Sequence, residues 1–463
     1  MNMSLKQLLS KFNNKHFFSV AGNVAMSLFA LVTVSLILRF MSSAGDMDSW
    51  FLYLTVFGLM ETGRAGFLTT ATVKFYSGTD KQRSDEIIGS AWYLGAGITL
   101  ALTILSIPTF IISYYIPDSP YAFSFKWFGL TSLLSLPMVI ANCALQAEAR
   151  FDRILYMRMV NQLSFLVMVV YLIIVDKLNL NSILIANLIS HLVTSIFLLA
   201  NGWSQFSAIK KRSKKAINEL YQFGKFTVAG NISSQLLRQS DLYIITFMFT
   251  GQASKGLITM YNLALRLLEM IEIPLRSFVA TAMPTLSADY NRGDRKGLIY
   301  TMQKYAGAVT YLLVPICVGG IVLADVAIFI MKGKKVIGPE AANVLRIFLT
   351  FALLFPADRF IALALDAIHK PNINLVKILI MLAFNVAGDF AGIAIFRSIY
   401  GPDSSTNIYG VAIATLFPTL IGVFVGYWAL NKYEPFSLRQ IYVVGFAEVK
   451  QMIRRTLKLR PAA

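Results

Sequence analysis

Apolar runs, each about twenty or more residues long, follow one another along almost the whole chain. A helix of about 20 apolar residues has the length needed to cross the hydrocarbon core of a bilayer, about 30 Å. A transmembrane β-barrel would instead show alternating segments of about ten residues. The pattern therefore predicts an all-α polytopic membrane protein.

Composition excludes the soluble alternative. The chain has 463 residues, of which 56% are hydrophobic and only 14% are charged, whereas soluble domains carry about 25% charged residues. A soluble chain of this length would also divide into domains with polar surfaces, and the sequence shows no such division.

We assign twelve membrane spans. The first is too long, and too closely followed by the second, to be a cleaved signal peptide. The spans lie near 17–40, 50–75, 87–115, 123–147, 155–176, 181–203, 219–249, 256–287, 304–331, 340–367, 372–396 and 408–430.

Basic residues are distributed unequally between the two sets of loops. Most of the 42 lysines and arginines fall in the termini or in loops after even-numbered spans, and the densest cluster is KKRSKK at 210–215. By the positive-inside rule, both termini are predicted to face the cytoplasm. The net charge of +18 is spread over many short loops, so we do not expect nucleic acid as a partner, and we expect the basic tail to lie on anionic lipid.

Sequence motifs give no sign of catalysis. The two cysteines and three histidines are scattered, and neither a nucleotide-binding loop nor a metalloprotease motif is present in the sequence. We therefore expect neither an enzyme nor a bound metal or other cofactor.

An internal repeat divides the chain. The sequence VAGN occurs at 20–23 and again at 228–231, and in the same register Tyr53 matches Tyr261 and Glu61 matches Glu269. Because six spans separate the copies, the repeat is parallel, and substrate sites in such transporters lie between the halves. The predicted parts are an amino-terminal lobe at 1–205, a basic cytoplasmic linker at 206–218, a carboxy-terminal lobe at 219–435 and a basic cytoplasmic tail at 436–463.

Charged side chains recur inside the spans. A charge at mid-membrane costs about 2.5–3.5 kcal/mol on insertion scales, so such residues are expected to face the bundle interior or water. At 100° per residue, the polar residues of span seven and of span eight each fall within an arc of about 120°. Those of span seven include Asn231, Gln235, Arg238 and Asp241, those of span eight are Asn262, Arg266, Glu269, Glu272 and Arg276, and span two adds Glu61 and Arg64.

Two interpretations of these stripes stay open. The charges form neutral pairs that lock helices together, or they line a hydrated cavity. Four such pairs favour the cavity, because a buried ion pair is a poor stabiliser compared with apolar packing. The pairs are Glu61–Arg64, Arg238–Asp241, Arg266–Glu269 and Glu272–Arg276. Further acids in later spans, among them Asp325, Asp358 and Asp389, are candidates for carrying H⁺ or Na⁺, and none stands out.

Three segments resemble the polysaccharide flippase branch of the multidrug/oligosaccharidyl-lipid/polysaccharide exporter superfamily. In the first, YNLALRLLEMIEIPLRSFVATAMPTLSADYNRGD, a Tyr-Asn and an Arg precede a proline, a Pro-x-Leu-Ser follows and a Gly-Asp opens the loop. The second, LYQFGKFTVAGNISSQLLRQSDLYII, resembles the start of that family's second half. The third, IYGVAIATLF at 408–417, resembles its last core span.

This resemblance implies two six-helix lobes around a central, cationic cavity that alternates its opening. It implies transport of an undecaprenyl-diphosphate-linked oligosaccharide from the inner to the outer leaflet of the bacterial cytoplasmic membrane, for surface polysaccharides such as lipopolysaccharide O-antigen. On this basis Arg64, Arg238, Arg266 and Arg276 are the candidate diphosphate ligands, since arginine offers forked donors to phosphate.

The expected partners are the lipid-linked oligosaccharide and membrane lipids, with other polysaccharide-assembly membrane proteins as candidates, and the chain is expected to act as a monomer. Two alternatives stay open. One is a cation-coupled multidrug exporter of the same superfamily, whose site would favour acids over arginines. The other is a membrane glycan polymerase or ligase, for which the longest predicted outside loop, near 397–407, leaves little room.

Overall fold

A computed structural model gives the fold, and it describes residues 15–41, 43–77, 79–117, 119–249, 255–333 and 339–458. Throughout these ranges the regular structure is helical, with no strand. The predicted all-α fold class is confirmed.

The chain forms two compact units, and the boundary between them lies between Leu236 and Leu237, inside one long helix. Residues 331–333 also belong to the first unit. The boundary near residue 205 that the sequence analysis placed between the lobes stays a prediction.

The first unit contains seven complete helices and the amino-terminal part of an eighth, through Leu236. The helices are α1 (Lys15–Phe40), α2 (Ala44–Tyr76), α3 (Lys81–Tyr115), α4 (Pro120–Leu134), α5 (Leu136–Ala147), α6 (Phe151–Ile174), α7 (Leu180–Ala200) and α8 (Lys214–Met248), with a 3₁₀ turn at Phe206–Lys211 before α8.

The second unit contains the rest of α8 and ten further helices among the described residues. These are α9 (Leu257–Ile271), α10 (Ile273–Asn291), α11 (Arg295–Val322), α12 (Ala324–Lys332), α13 (Glu340–Phe351), α14 (Phe355–Ala367), α15 (Pro371–Tyr400), α16 (Ile408–Ala414), α17 (Leu416–Asn431) and α18 (Leu438–Lys458).

Seven helical segments of the described chain are long and apolar enough to cross a membrane, and the α4–α5 pair, bent by 50°, makes an eighth. The seven are Lys81–Tyr115, Phe151–Ile174, Leu180–Ala200, Arg295–Val322, Glu340–Ala367, Pro371–Tyr400 and Ser405–Asn431. The helices α2, α8 and the α9–α10 pair are not among them, because they carry the charged stripes. The helices are consistent with twelve spans, and that exact number stays a prediction.

Local sequence explains where the helices begin and bend. Asp80 accepts a hydrogen bond from the backbone N–H of Arg83 (2.8 Å) and starts α3, as an aspartate does at an N-cap. The sequence Ser135-Leu136-Pro137 interrupts α4–α5, since proline cannot continue the hydrogen-bond ladder of the preceding turn.

The 3₁₀ turn before α8 is part of the first unit's packing. The Trp92 indole N–H donates to the carbonyl oxygen of Ser204 (2.8 Å), and Lys211 pairs with the buried Asp85 (2.7 Å). At Gly89 an added Cβ would collide with the carbonyl oxygen of Ala208. The segment predicted as a linker is therefore held against α3.

The last helix, α18, packs against α11 in the second unit. At Gly307 an added Cβ would lie 2.6 Å from the Cα of Gly445, so the two backbones touch where the helices cross. An ion pair between Lys304 and Glu448 (3.1 Å) lies beside the crossing. The described part of the tail is thus a helix packed on α11.

Candidate substrate and ion sites

Glu61 and Arg64 form the polar centre of the first unit. Arg64 is only 1% exposed. Its Nη1 donates to Thr99 Oγ1 (2.8 Å) and to the carbonyl oxygen of Ser132 (2.6 Å), and its Nη2 donates to Glu61 (2.5 Å) and Ser135 Oγ (2.6 Å). All four terminal N–H groups have protein acceptors. This geometry favours a role in tying α2 to its neighbours over contact with a diphosphate.

The polar face of α8 begins exposed and becomes buried along the helix. Asn231 and Arg238 are exposed, Gln235 is half-buried, and Asp241 is 3% exposed. In the part of the chain that the structure describes, Arg238 has no carboxylate in ion-pair contact. The Arg238 guanidinium is therefore available to an anionic ligand.

Two ion pairs lie along the α9–α10 segment, and each joins residues about one helical turn apart. Arg266 pairs with Glu269 (3.2 Å), and Arg276 pairs with Glu272 (3.3 Å). The arginine side chains remain 37% and 52% exposed. Because surface pairs of this kind contribute only about 0.3–0.5 kcal/mol, either arginine can leave its glutamate for a stronger anion.

The second-unit charges act as one group. Glu272, Arg276 and Glu269 all lie close enough to Arg238 to act on it electrostatically. The structure thus brings Arg238 of α8 close to the charged residues of α9–α10, whereas Arg64 lies in a hydrogen-bond network of the first unit. On the same face, Asn262 is 3% exposed and its Oδ1 has no partner among the described residues.

A buried pair of carboxylates, Asp241 and Asp389, lies at the buried, carboxy-terminal end of the polar face of α8. Asp241 accepts hydrogen bonds from the Tyr261 hydroxyl, from Asn385 Nδ2 (2.6 Å) and from Thr415 Oγ1 (3.2 Å). Asp389, fully buried, is also within hydrogen-bonding range of Asp241. Among the described residues, the hydrogen-bond partners of these carboxylates are neutral or acidic.

Such a pair is suited to taking up a proton or a cation. Two adjacent carboxylates in a low-dielectric site cannot both stay ionised without a counter-charge. One oxygen of Asp389 and the amide oxygen of Asn385 have no hydrogen-bond partner among the described residues. Oxygen ligands suit a hard cation, and a shared proton would serve equally.

The described residues contain no group of three or more histidine, cysteine, aspartate or glutamate side chains placed to hold a metal ion. A site for Na⁺ would therefore combine the two carboxylates Asp241 and Asp389 with amide and hydroxyl oxygens.

Asp325 and Asp358, the other predicted coupling candidates, are paired with basic residues. Asp325 forms an ion pair with Arg346, and Asp358 pairs with Lys377 (2.6 Å), which is almost fully buried. These partners already neutralise both carboxylates. The geometry gives neither of them the uncompensated charge found at Asp241.

Sequence reasoning did not single out Asn385, Asp389, Thr415 or Tyr261 as members of one site. Asn385 and Asp389 are four residues apart on one face of α15, and this spacing was the available signal. Thr415 lies on a different helix, so its part in the site required the fold.

The sequence model of a family described as "Polysaccharide biosynthesis protein" matches residues 53–337, more than half of the chain. A search of the curated proteins gave no significant match.

Solved structures with the same fold include "Lipid II flippase MurJ, inward closed conformation", with a TM-score of 0.70, 18% identity, and coverage of 96% of this chain and 93% of that chain. An inward-facing multidrug resistance MATE family transporter has a TM-score of 0.73 at 14% identity, covering 89% of this chain and 96% of that chain. A transporter from Pyrococcus furiosus, described as having a binding pocket of reverse polarity, has a TM-score of 0.59 at 14% identity, covering 90% of this chain and 94% of that chain.

Proposed function

Because this chain belongs to the polysaccharide biosynthesis protein family, whose model covers residues 53–337, we propose that it flips an undecaprenyl-diphosphate-linked oligosaccharide across the bacterial cytoplasmic membrane. The chain is a multi-pass membrane transporter of the multidrug/oligosaccharidyl-lipid/polysaccharide exporter superfamily. The cargo would move from the inner to the outer leaflet by alternating access, with both termini in the cytoplasm. Surface polysaccharide, including O-antigen, would be the product pathway.

The observation that carries this proposal is the arginine group of the second unit. Arg238 lacks an acidic ion-pair partner among the described residues, and Arg266 and Arg276 have only weak pairs within their own helices. A diphosphate provides several oxygens for forked guanidinium donors. Its entry would replace weak pairs with charge-assisted hydrogen bonds.

The direction of movement agrees with the membrane potential. With the cell interior negative, outward movement of an anion is downhill by about 2.3 kcal/mol per charge per 100 mV. The sugar head group stays in a wet site during this movement, since neither sugars nor diphosphate can enter hydrocarbon without a large desolvation cost.

We further propose that the Asp241–Asp389 pair is the coupling site. Unlike Glu61, Glu269 and Glu272, these carboxylates have no basic residue in ion-pair contact in the part of the chain that the structure describes. Occupation by H⁺ or Na⁺ would remove about one unit of buried negative charge close to Tyr261, a residue of α9. The ion would thereby act on the helix that also carries Arg266.

The arginine assignment is tested with the double variant Arg238→Ala/Arg266→Ala. We expect surface polysaccharide to be lost while the protein is inserted at the normal level. The matched control is Arg292→Ala/Arg439→Ala, which removes two exposed arginines outside the candidate site. Normal surface polysaccharide in the first variant would remove the assignment.

The same strains separate the alternatives. Loss of surface polysaccharide with unchanged drug sensitivity supports the flippase. Increased sensitivity to cationic drugs with normal polysaccharide would instead support a multidrug exporter. Accumulation of single lipid-linked repeat units at the outer leaflet would indicate a polymerase or ligase.

A further inference from the structure

An apolar groove lies within the first unit, between α2, α3 and the amino-terminal half of α8. Its volume is about 820 Å³, within the range of about 300–1,000 Å³ typical of ligand pockets. The lining is almost entirely apolar, and it includes Leu59, Phe67, Leu102, Val228 and Ile232. The groove is therefore built to hold hydrocarbon.

The groove follows the helices. On α3 it extends from Tyr93 to Leu102, and on α8 from Tyr221 to Ile232, which correspond to about 14 Å and 16 Å at 1.5 Å per residue. A cavity of about 820 Å³ over this length has a cross-section of about 50–60 Å². A groove of this length and cross-section fits a single hydrocarbon chain.

Small residues of α3 create the open space. Ala96, Gly97 and Ala101 all line the groove, and an added Cβ at Gly97 would meet no atom within 4 Å. Arg64 borders the groove, but its four terminal N–H groups are already bonded to protein acceptors. Its remaining N–H, at Nε, is buried and has no hydrogen-bond partner among the described residues. The middle of the groove therefore offers a polar ligand at most this one donor.

Water is a poor occupant of such a space. A buried water needs two to four polar partners, and this lining provides few. An empty groove would leave its walls without dispersion contacts. In a membrane, the remaining candidate is a hydrocarbon chain.

One end of the groove carries a different chemistry. Tyr93 and Tyr221 lie there, and both are about half exposed. The guanidinium of Arg212 lies 5.0 Å from the centre of the Tyr93 ring. Arg212 belongs to the basic segment at 210–215. Tyrosines beside cations mark the head-group level of a bilayer, so this end complements an anionic head group.

From the apolar walls and the cationic mouth, we propose that the groove binds the polyisoprenoid tail of the lipid-linked cargo, with a phosphate beside Arg212. This inference rests on the proposed function, because it identifies the groove's occupant with the transported lipid. The methyl branches of a polyisoprenoid suit a groove of this width. The groove would hold the cargo by its tail at the cytoplasmic leaflet, before translocation of the head group.

The test is direct binding of undecaprenyl phosphate to the purified full-length protein in detergent. The variant Gly97→Leu fills the groove from a position where an added Cβ meets no atom within 4 Å. The control is Gly319→Leu, because Gly319 also lies within a helix of the described chain and an added Cβ there also meets nothing within 4 Å. We expect at least a tenfold loss of affinity for Gly97→Leu and no loss for Gly319→Leu.

Further binding measurements test which end of the groove holds the head group and whether the bound hydrocarbon chain comes from the cargo lipid or from an ordinary phospholipid. Arg212→Ala should weaken binding of undecaprenyl phosphate but not of the uncharged undecaprenol. Phosphatidylglycerol at equal concentration should not displace undecaprenyl phosphate. Ala101→Leu fills the same groove and should reproduce Gly97→Leu if that variant proves poorly folded.

Two results would overturn the inference: undiminished affinity in folded Gly97→Leu protein, or equal competition by phosphatidylglycerol. Either can occur while surface polysaccharide still depends on Arg238 and Arg266, so a failed groove leaves the proposed function standing. Conversely, normal polysaccharide in Arg238→Ala/Arg266→Ala counts against the proposed function without changing the binding measurement.

Discussion

Replacing Arg64 by alanine should destabilise the protein strongly. The side chain is fully buried and connects Glu61 with Thr99, Ser132 and Ser135. Removal of one partner from a buried ion pair costs about 3–5 kcal/mol, because the other charge is left without compensation. Glu61 keeps 27% of its side-chain surface exposed, so water relieves part of this cost. We expect about 3 kcal/mol, a factor of roughly 150 in the folding equilibrium.

The assay is equilibrium unfolding of the purified protein in mixed micelles, followed by tryptophan fluorescence. The double variant Glu61→Leu/Arg64→Met should recover most of the loss, because replacing both members of a buried pair by apolar residues is often neutral. An unchanged unfolding midpoint in Arg64→Ala, together with lost affinity for undecaprenyl diphosphate, would refute this reasoning and return Arg64 to the cargo site.

Three further outcomes are expected. Asp389→Asn should abolish stimulation of transport by an imposed H⁺ or Na⁺ gradient in proteoliposomes, with cargo affinity within about twofold of wild type; unchanged stimulation would exclude the Asp241–Asp389 pair. Lys377→Met should leave Asp358 without its cation and cost about 3–5 kcal/mol, measured by the same unfolding assay, whereas Asp358→Asn/Lys377→Met should recover most of this stability. Gly307→Leu should displace α18 from α11, detected as faster proteolysis of the tail; protection equal to wild type would contradict the close crossing.

Much of the fold could be predicted because a membrane-spanning helix must be long and apolar, and both properties can be read directly from the sequence. The length and apolarity of segments such as 181–203 predict a helix, and α7 (Leu180–Ala200) begins one residue before that range and ends three residues before its end. Helix breaks were harder to place. The bend at Ser135 lies inside one predicted span, since a single proline either kinks or ends a helix.

The candidate site could be predicted only in part. Helical periodicity placed Arg266 and Glu269 on one face, and the structure pairs them. Periodicity does not report depth, however, so Arg64 and Arg266 looked equivalent although one is sealed and the other is half exposed. The Asp241–Asp389 pair joins α8 to α15, and such long-range contacts leave no spacing signal in one sequence.

The contact between α11 and α18 has a consequence for how this protein can change over time. At Gly307 and Gly445 neither residue has room for a side chain while the other helix is in place. A mutation at one position therefore cannot be compensated by a smaller residue at the other, because glycine is already the smallest. Substitutions of Gly307 should therefore be found only in relatives that have lost or shortened the final helix.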